Sequence, residues 1–278
     1  MNRWQRSFAL VKASWSVIRS EPGLVLLPVM SFLATLAVAA TFLIPVVATT
    51  DLGSTHTSLS VTGWVLVFAM YLVLSYVSVF FNVALICAAQ ERFDGGDPTL
   101  GSALAGAARN AGRILPWAVV SATVSMVLKA IQNRAGIVGT IVAGIAGVAW
   151  ALVTFMVLPI IVIEHLGVGA AIKRSASLFK QVWGEQVVAN VGIGLFGFLA
   201  VLCGTPVLIL LATGNATLMV VGAGVFVVWF LLVIGVTNAM NGVFQTALYR
   251  YAATGEAPQD FASVDLAHAF VPRHHRRG

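Results

Sequence analysis

Six apolar runs, each long enough for a helix to cross a bilayer, constrain this chain more than any other feature. They lie at roughly Leu24–Ala48, Val61–Ala89, Ile114–Ile131, Ile137–Ile163, Val187–Ala212 and Leu218–Tyr249. A helix crosses the hydrocarbon with about 20 apolar residues, whereas a barrel strand needs only about 10. Lipid offers backbone groups no water to bond, so runs of this length fold as helices that satisfy themselves internally. Composition agrees: 59% of the 278 residues are hydrophobic and only 9% charged, against about 25% charged in soluble chains. The expectation is an all-α polytopic membrane protein with six transmembrane helices in three hairpins.

Orientation follows from where the 16 Lys and Arg fall. All but Lys129 and Arg134 lie on one side when the runs are taken as alternating crossings. The positive-inside rule puts that side, with both termini, in the cytoplasm. The formal charge of +6 is therefore spread along helix ends and forms no nucleic-acid patch. The N-terminal nineteen residues, MNRWQRSFALVKASWSVIR, are charged throughout and precede an apolar run too long for a cleavable signal. Cys87 and Cys203 lie inside apolar runs and read as small packing residues.

Three stretches precede the three hairpins, each with helical amphipathicity. In the first, Trp4, Phe8, Val11, Trp15 and Ile18 share a face that Leu10 and Val17 do not respect. In the second, Leu100, Leu104, Ala107, Ala111 and Ile114 lie opposite Ser102, Arg109 and Arg113. In the third, an arc of Val168, Ala171, Ile172, Ser175, Phe179, Val182 and Trp183 faces away from Lys173, Arg174 and Lys180. Basic faces backed by aromatic residues suit helices lying on anionic headgroups at the cytoplasmic membrane surface; packing against neighbouring spans suits the same pattern.

The first and third stretches also match: RSFALVKASW (Arg6–Trp15) and RSASLFKQVW (Arg174–Trp183) both fit R-S-x-x-L-x-K-x-x-W. FNVAL (Phe81–Leu85) and FQTAL (Phe244–Leu248) echo one another, each followed by an acidic Gly/Pro turn, DGGDP and TGEAP. These echoes read as a parallel repeat of pseudo-threefold kind, with units of about 1–98, 99–165 and 166–258 and a flexible cytoplasmic tail at 259–278. The units together form a single membrane domain, 1–258.

The helix ending in Trp, the F-[NQ]-x-A-L span end, the Gly/Pro turn and the LP…E ending of the fourth run resemble a diffuse group of bacterial six-span inner-membrane proteins. That group is similar to YciC-type proteins and to the membrane domain of some glycerophosphodiester phosphodiesterases, whose soluble catalytic domain has no counterpart here. The resemblance covers about residues 1–258 and implies a bacterial plasma-membrane address.

Candidate chemistry is sparse. Asn82, Asn190, Asn238, Asn241 and Gln245 form a candidate intramembrane polar cluster, read chiefly as interhelical glue and otherwise as a polar substrate path. Glu164 and His165, at the cytoplasmic edge of the fourth run, are a candidate proton-relay dyad. Adjacent helical residues point about 100° apart, so a charge leaving the membrane beside a basic partner is the stronger reading. GIGLFG (Gly192–Gly197) fits G-x-G-x-x-G but lies inside a span, where with Gly139, Gly144, Gly147, Gly222 and Gly224 it reads as close-packing surface. No cofactor or metal is expected. The functional expectation is a non-enzymatic accessory or scaffold subunit with membrane lipids and a membrane-protein partner; the alternative is a transporter or lipid-handling permease with a polar cavity between the repeats.

Overall fold

The computed structural model describes residues 12–19, 21–48, 50–51, 58–59, 61–134, 136–213, 215–256, 258 and 261, with the backbone alone for 181–191 and 210–213. After a helical segment at 12–19 and a 3₁₀ turn Pro22–Val25 come α1 (Leu26–Ala48), α2 (Val61–Phe93), α3 (Leu100–Arg109), α4 (Ala111–Arg134) and α5 (Gly136–Thr154). A short helix Val157–Pro159 and a π turn Ile160–Glu164 continue the fourth run. Then follow α6 (Val168–Gly204), a 3₁₀ stretch Thr205–Thr213 and α7 (Ala216–Thr254). Between α1 and α2, Thr50–Asp51 pairs antiparallel with Ser58–Leu59. Six of these segments, Gly23–Ala48, Val61–Phe93, Ala111–Arg134, Gly136–Glu164, Gly192–Ile209 and Ala216–Thr254, are long and apolar enough to span a bilayer. The chain is an all-α integral membrane protein.

Local chemistry sets the helix ends. Asn215 caps α7, its Oδ1 accepting from the N–H of Thr217 at 2.9 Å and of Leu218 at 3.3 Å, which satisfies donors the first turn leaves open. Gly255, at φ +77°, closes the other end in the left-handed conformation, its N–H donating to Tyr251 O at 2.8 Å, the usual glycine stop. Asn110 separates α3 from α4 by a single turn. Its amide donates to Gly106 O at 2.9 Å and its Oδ1 accepts from Arg113 Nη1 at 3.1 Å.

The chain groups into two compact units whose cuts fall within helices. Unit 1 comprises Met1–Val29, Leu85–Ala103 and Ser177–Gly278. In it a Cβ on Gly242 would strike Leu85, and a Cβ on Gly235 would sit 3.2 Å from Val29 Cγ2. Gly204 presses on Trp229, whose Nε1 donates to Ala200 O at 2.9 Å. Arg92 pairs with Glu21 and Asp97, and Arg250 with Asp94 at 2.6 Å. Within the tail expected at 259–278, Phe261 is buried and packs edge-on against Phe93, ring centroids 6.0 Å apart; residues 259 and 260 lie outside the described residues. The tail from 262 onward lies outside the described residues.

Unit 2 comprises Met30–Ala84 and Leu104–Ala176. Its α4 and α5 pack side by side, with Trp117 stacked on Trp150 at 5.9 Å and Leu128 close to Gly147. Ser75 Oγ donates to Ala118 O at 3.2 Å, tying α2 to α4.

Burial is uneven along α2, the fourth run and α7. Their ends nearer the cluster of basic residues, or basic ends, are buried: residues 83–86 of α2, 156–161 of the fourth run, and 239–240 and 242–249 of α7. Their far ends, and that of α1, expose large apolar side chains, among them Ile44 at 77%, Ile137 at 82% and Val220 at 73%. The physical reason is the solvent. Burial of apolar surface is driven by water, and a lipid tail is as apolar as a leucine, so no such force acts within the hydrocarbon. The lengths agree. At 33, 37 and 39 residues, α2, α6 and α7 exceed by well over ten the roughly 20 needed to cross. Charge confines the excess to the basic ends.

Two expectations require correction. The third amphipathic stretch and the fifth span are one uninterrupted helix, α6, with no break at Gly184–Glu185. Polar residues without proline do not stop a helix. In the first stretch, Val17 is wholly buried and Trp15 is 41% exposed, so the buried face is Ala13, Ser14, Val17 and Ile18.

Candidate functional site

The candidate amides lie on α2, α6 and α7. Asn82 belongs to unit 2 and is exposed on α2; Asn238, Asn241 and Gln245 belong to unit 1 and share one face of α7 at i, i+3 and i+7. Along that face Asn238 is exposed, Asn241 half-buried and Gln245 buried. Asn241 Oδ1 is buried without a hydrogen-bond partner among the described residues. The side chain of Asn190 lies outside them.

Exposure of Asn82 and Asn238 has a physical consequence. An amide facing hydrocarbon without a partner costs several kcal/mol, so each marks a level at or beyond the hydrocarbon edge. Asn82 and Asn238 stand about 20 residues, or about 30 Å, from the far ends of α2 and α7, which is the hydrocarbon thickness. The same count from Gly136 along the fourth run reaches Phe155–Met156.

There the helix breaks. Phe155 and Met156 form a turn between α5 and the short helix that follows. Pro159 has no N–H to give and crowds the carbonyl four residues back. Ser175 of α6 repairs the break: its hydroxyl donates to Val153 O at 2.6 Å and accepts from Met156 N at 3.2 Å. Ser175 is fully buried, and Met156, Val157, Ile160 and Ile161 around the break are likewise at 0% exposure. A serine on the apolar arc of the third stretch was the available signal. That arc is also turned from expectation: Ala171, Ser175 and Leu178 are the buried residues, while Lys173, Arg174 and Lys180 are exposed.

The π turn ends at Glu164, and His165 takes the left-handed conformation at φ +56°, a conformation a side chain adopts at a cost. Arg174 Nε lies 3.4 Å from Glu164 Oε1. Arg113 Nη1 lies 3.2 Å from His165 Nδ1, and since a guanidinium only donates, Nδ1 accepts. The two side chains thus each meet an arginine, Glu164 meeting Arg174 and His165 meeting Arg113. Trp4 and Phe8 lie outside the described residues, as does the side chain of Trp183. Trp15 packs against Phe196 with ring centroids 6.1 Å apart.

The described residues include two apolar grooves, one in each unit. One, of about 520 Å³, runs along a single face of α5 past Thr140, Ile141, Gly144, Ile145 and Val148. The other, of about 360 Å³, lies between Gly194, Gly197 and Val201 of α6 and Val233, Thr237 and Asn238 of α7. Sequence reasoning treated Gly144, Gly194 and Gly224 as close-packing residues, yet a Cβ on any of them would meet nothing within 4 Å. Close approaches fall at Gly197, within the GIGLFG run read as packing surface, and at Gly204, Gly235 and Gly242, which sequence reasoning did not single out.

No curated protein matches the chain. A family described as "Family of unknown function (DUF6159)" matches residues 61–259, most of the chain, and the chain belongs to that family.

Proposed function

We propose that this integral membrane protein is a non-enzymatic accessory or scaffold subunit of a plasma-membrane complex, with its basic ends in the cytoplasm. The observation that carries the reading is the bare face of α5. Ile137, Ile141, Ile145 and Val148 are each more than half exposed, and Gly144 leaves a trough in their midst. Small residues let helix backbones approach closely in lipid, where van der Waals fit rather than water drives association. A partner's transmembrane helix fits that face.

Gly144→Leu fills the trough without a clash inside the chain. It is expected to reduce recovery of a co-purifying partner in mild detergent at least tenfold, while expression and thermal stability stay near wild type. A chain that purifies with no reproducible partner, or a partner indifferent to Gly144→Leu, contradicts the proposal.

A permease is the second reading, favoured by the interrupted fourth run, since broken helices line many transport sites. Ser175 weighs against it. The backbone groups that the break sets free at Val153 and Met156 are taken up by its hydroxyl, so they do not offer themselves to a substrate.

A further inference from the structure

We propose that the groove between α6 and α7 holds one acyl chain of a membrane phospholipid, with the glycerol-ester oxygens hydrogen-bonded by the Asn238 amide. Three observations converge. First, the groove is apolar along its length and polar at one end. Thr237 spends its hydroxyl on Val233 O at 2.7 Å, so the exposed Asn238 carboxamide is the polar group at the mouth.

Second, that mouth lies at the right depth. Asn238 stands about 20 residues from the far end of α7, at the hydrocarbon edge where ester groups reside. The groove runs from it toward Val201 and Val233, into the hydrocarbon. Phe198 at 60%, Leu199 at 52% and Leu232 at 48% exposure border it, so lipid is what surrounds its opening.

Third, the groove is kept open by the glycines that line it. Gly197 lets Thr237 close to where a Cβ would lie 2.9 Å from its Oγ1, which forms the floor, while Gly194 leaves the space above empty. A volume of about 360 Å³ falls in the range of small-ligand sites, about 300–1,000 Å³. A partner helix, about 10 Å across with its side chains, does not enter such a slot. The α5 trough differs on each count: one helix lines it, and no amide stands at its end.

The test uses the full chain in mild detergent, exchanged exhaustively, with bound phospholipid measured by extraction and phosphate analysis and by native mass spectrometry. Wild type and Gly224→Leu, which fills open space elsewhere on α7, are expected to keep roughly one phospholipid per chain. Gly194→Leu occupies the groove and is expected to lose most of it. Asn238→Leu, at an exposed position, is expected to weaken retention about fivefold, the worth of one neutral hydrogen bond. Equal retention by all variants, or none by wild type, overturns the proposal. So does a Gly194→Leu chain that keeps its lipid but changes from dimer to monomer. If Gly194→Leu does not fold, Asn238→Leu decides alone. The α5 partner is not involved, so this result and that of Gly144→Leu stand independently.

Discussion

Ser175→Ala is expected to destabilise the protein by about 1–3 kcal/mol, because it strands the buried Met156 N–H and leaves the half-buried Val153 carbonyl without its hydroxyl donor. The Ser175 hydroxyl donates to Val153 O at 2.6 Å and accepts from Met156 N at 3.2 Å, and both Ser175 and Met156 are at 0% exposure. A lost hydrogen bond between exposed groups is replaced by water; none reaches the N–H of the fully buried Met156. An orphaned buried group costs about 1–3 kcal/mol, and the small volume of a missing oxygen adds little. Thermal unfolding in detergent micelles measures the effect. Ser125→Ala is the control: its hydroxyl bonds Ser121 O on its own exposed helix face at 2.8 Å, and its loss is expected to stay within about 0.5 kcal/mol. Equal melting of the two variants would mean that the break at Phe155–Met156 is not held by Ser175.

Gly242→Val has the second large effect. A Cβ at this position would overlap Leu85, whose side chain is itself only 3% exposed. Leu85 must change rotamer inside a filled space, and overpacking of this kind costs about 1–3 kcal/mol. Replacing glycine within a helix returns up to about 1 kcal/mol of propensity, which does not offset a two-branched side chain against a trapped leucine. Gly224→Val gives the contrast, since its Cβ meets nothing. Unfolding measurements are expected to show Gly242→Val destabilised by about 2 kcal/mol and Gly224→Val near neutral. Equal stability of both would remove α2–α7 contact at this point from the account.

The six spans were legible in the sequence because hydrocarbon thickness imposes a length that composition alone reveals. Their ends were less so. The fifth span reads as starting at Val187 because Glu185 and Gln186 interrupt the apolar run, yet neither residue stops a helix and α6 passes through them. Pro159 and Pro206 were visible signals for the π turn at Ile160–Glu164 and the 3₁₀ stretch Thr205–Thr213. The repair of the first break was not visible, because Ser175 lies 22 positions from Val153. Glycines illustrate the same limit. Sequence shows where a Cβ is missing but not what stands opposite, so Gly194 and Gly242 look alike although one borders a groove and the other a leucine. The amides on α7 were found by residue type; their gradient from exposed Asn238 to buried Gln245 comes from packing.

In the proposed orientation the hydrocarbon ends at the level of the exposed amides and the basic ends face the cytoplasm. Cysteine accessibility along α2 tests it most directly. In a chain carrying Cys87→Ala and Cys203→Ala, Asn82→Cys and Val73→Cys are compared with a membrane-impermeant maleimide on vesicles of each orientation. Asn82→Cys is predicted to react only from the cytoplasmic face, and Val73→Cys, about 14 Å deeper along the helix, not to react from either. Equal labelling of the two positions, or labelling of Asn82→Cys from the opposite face, would contradict the account.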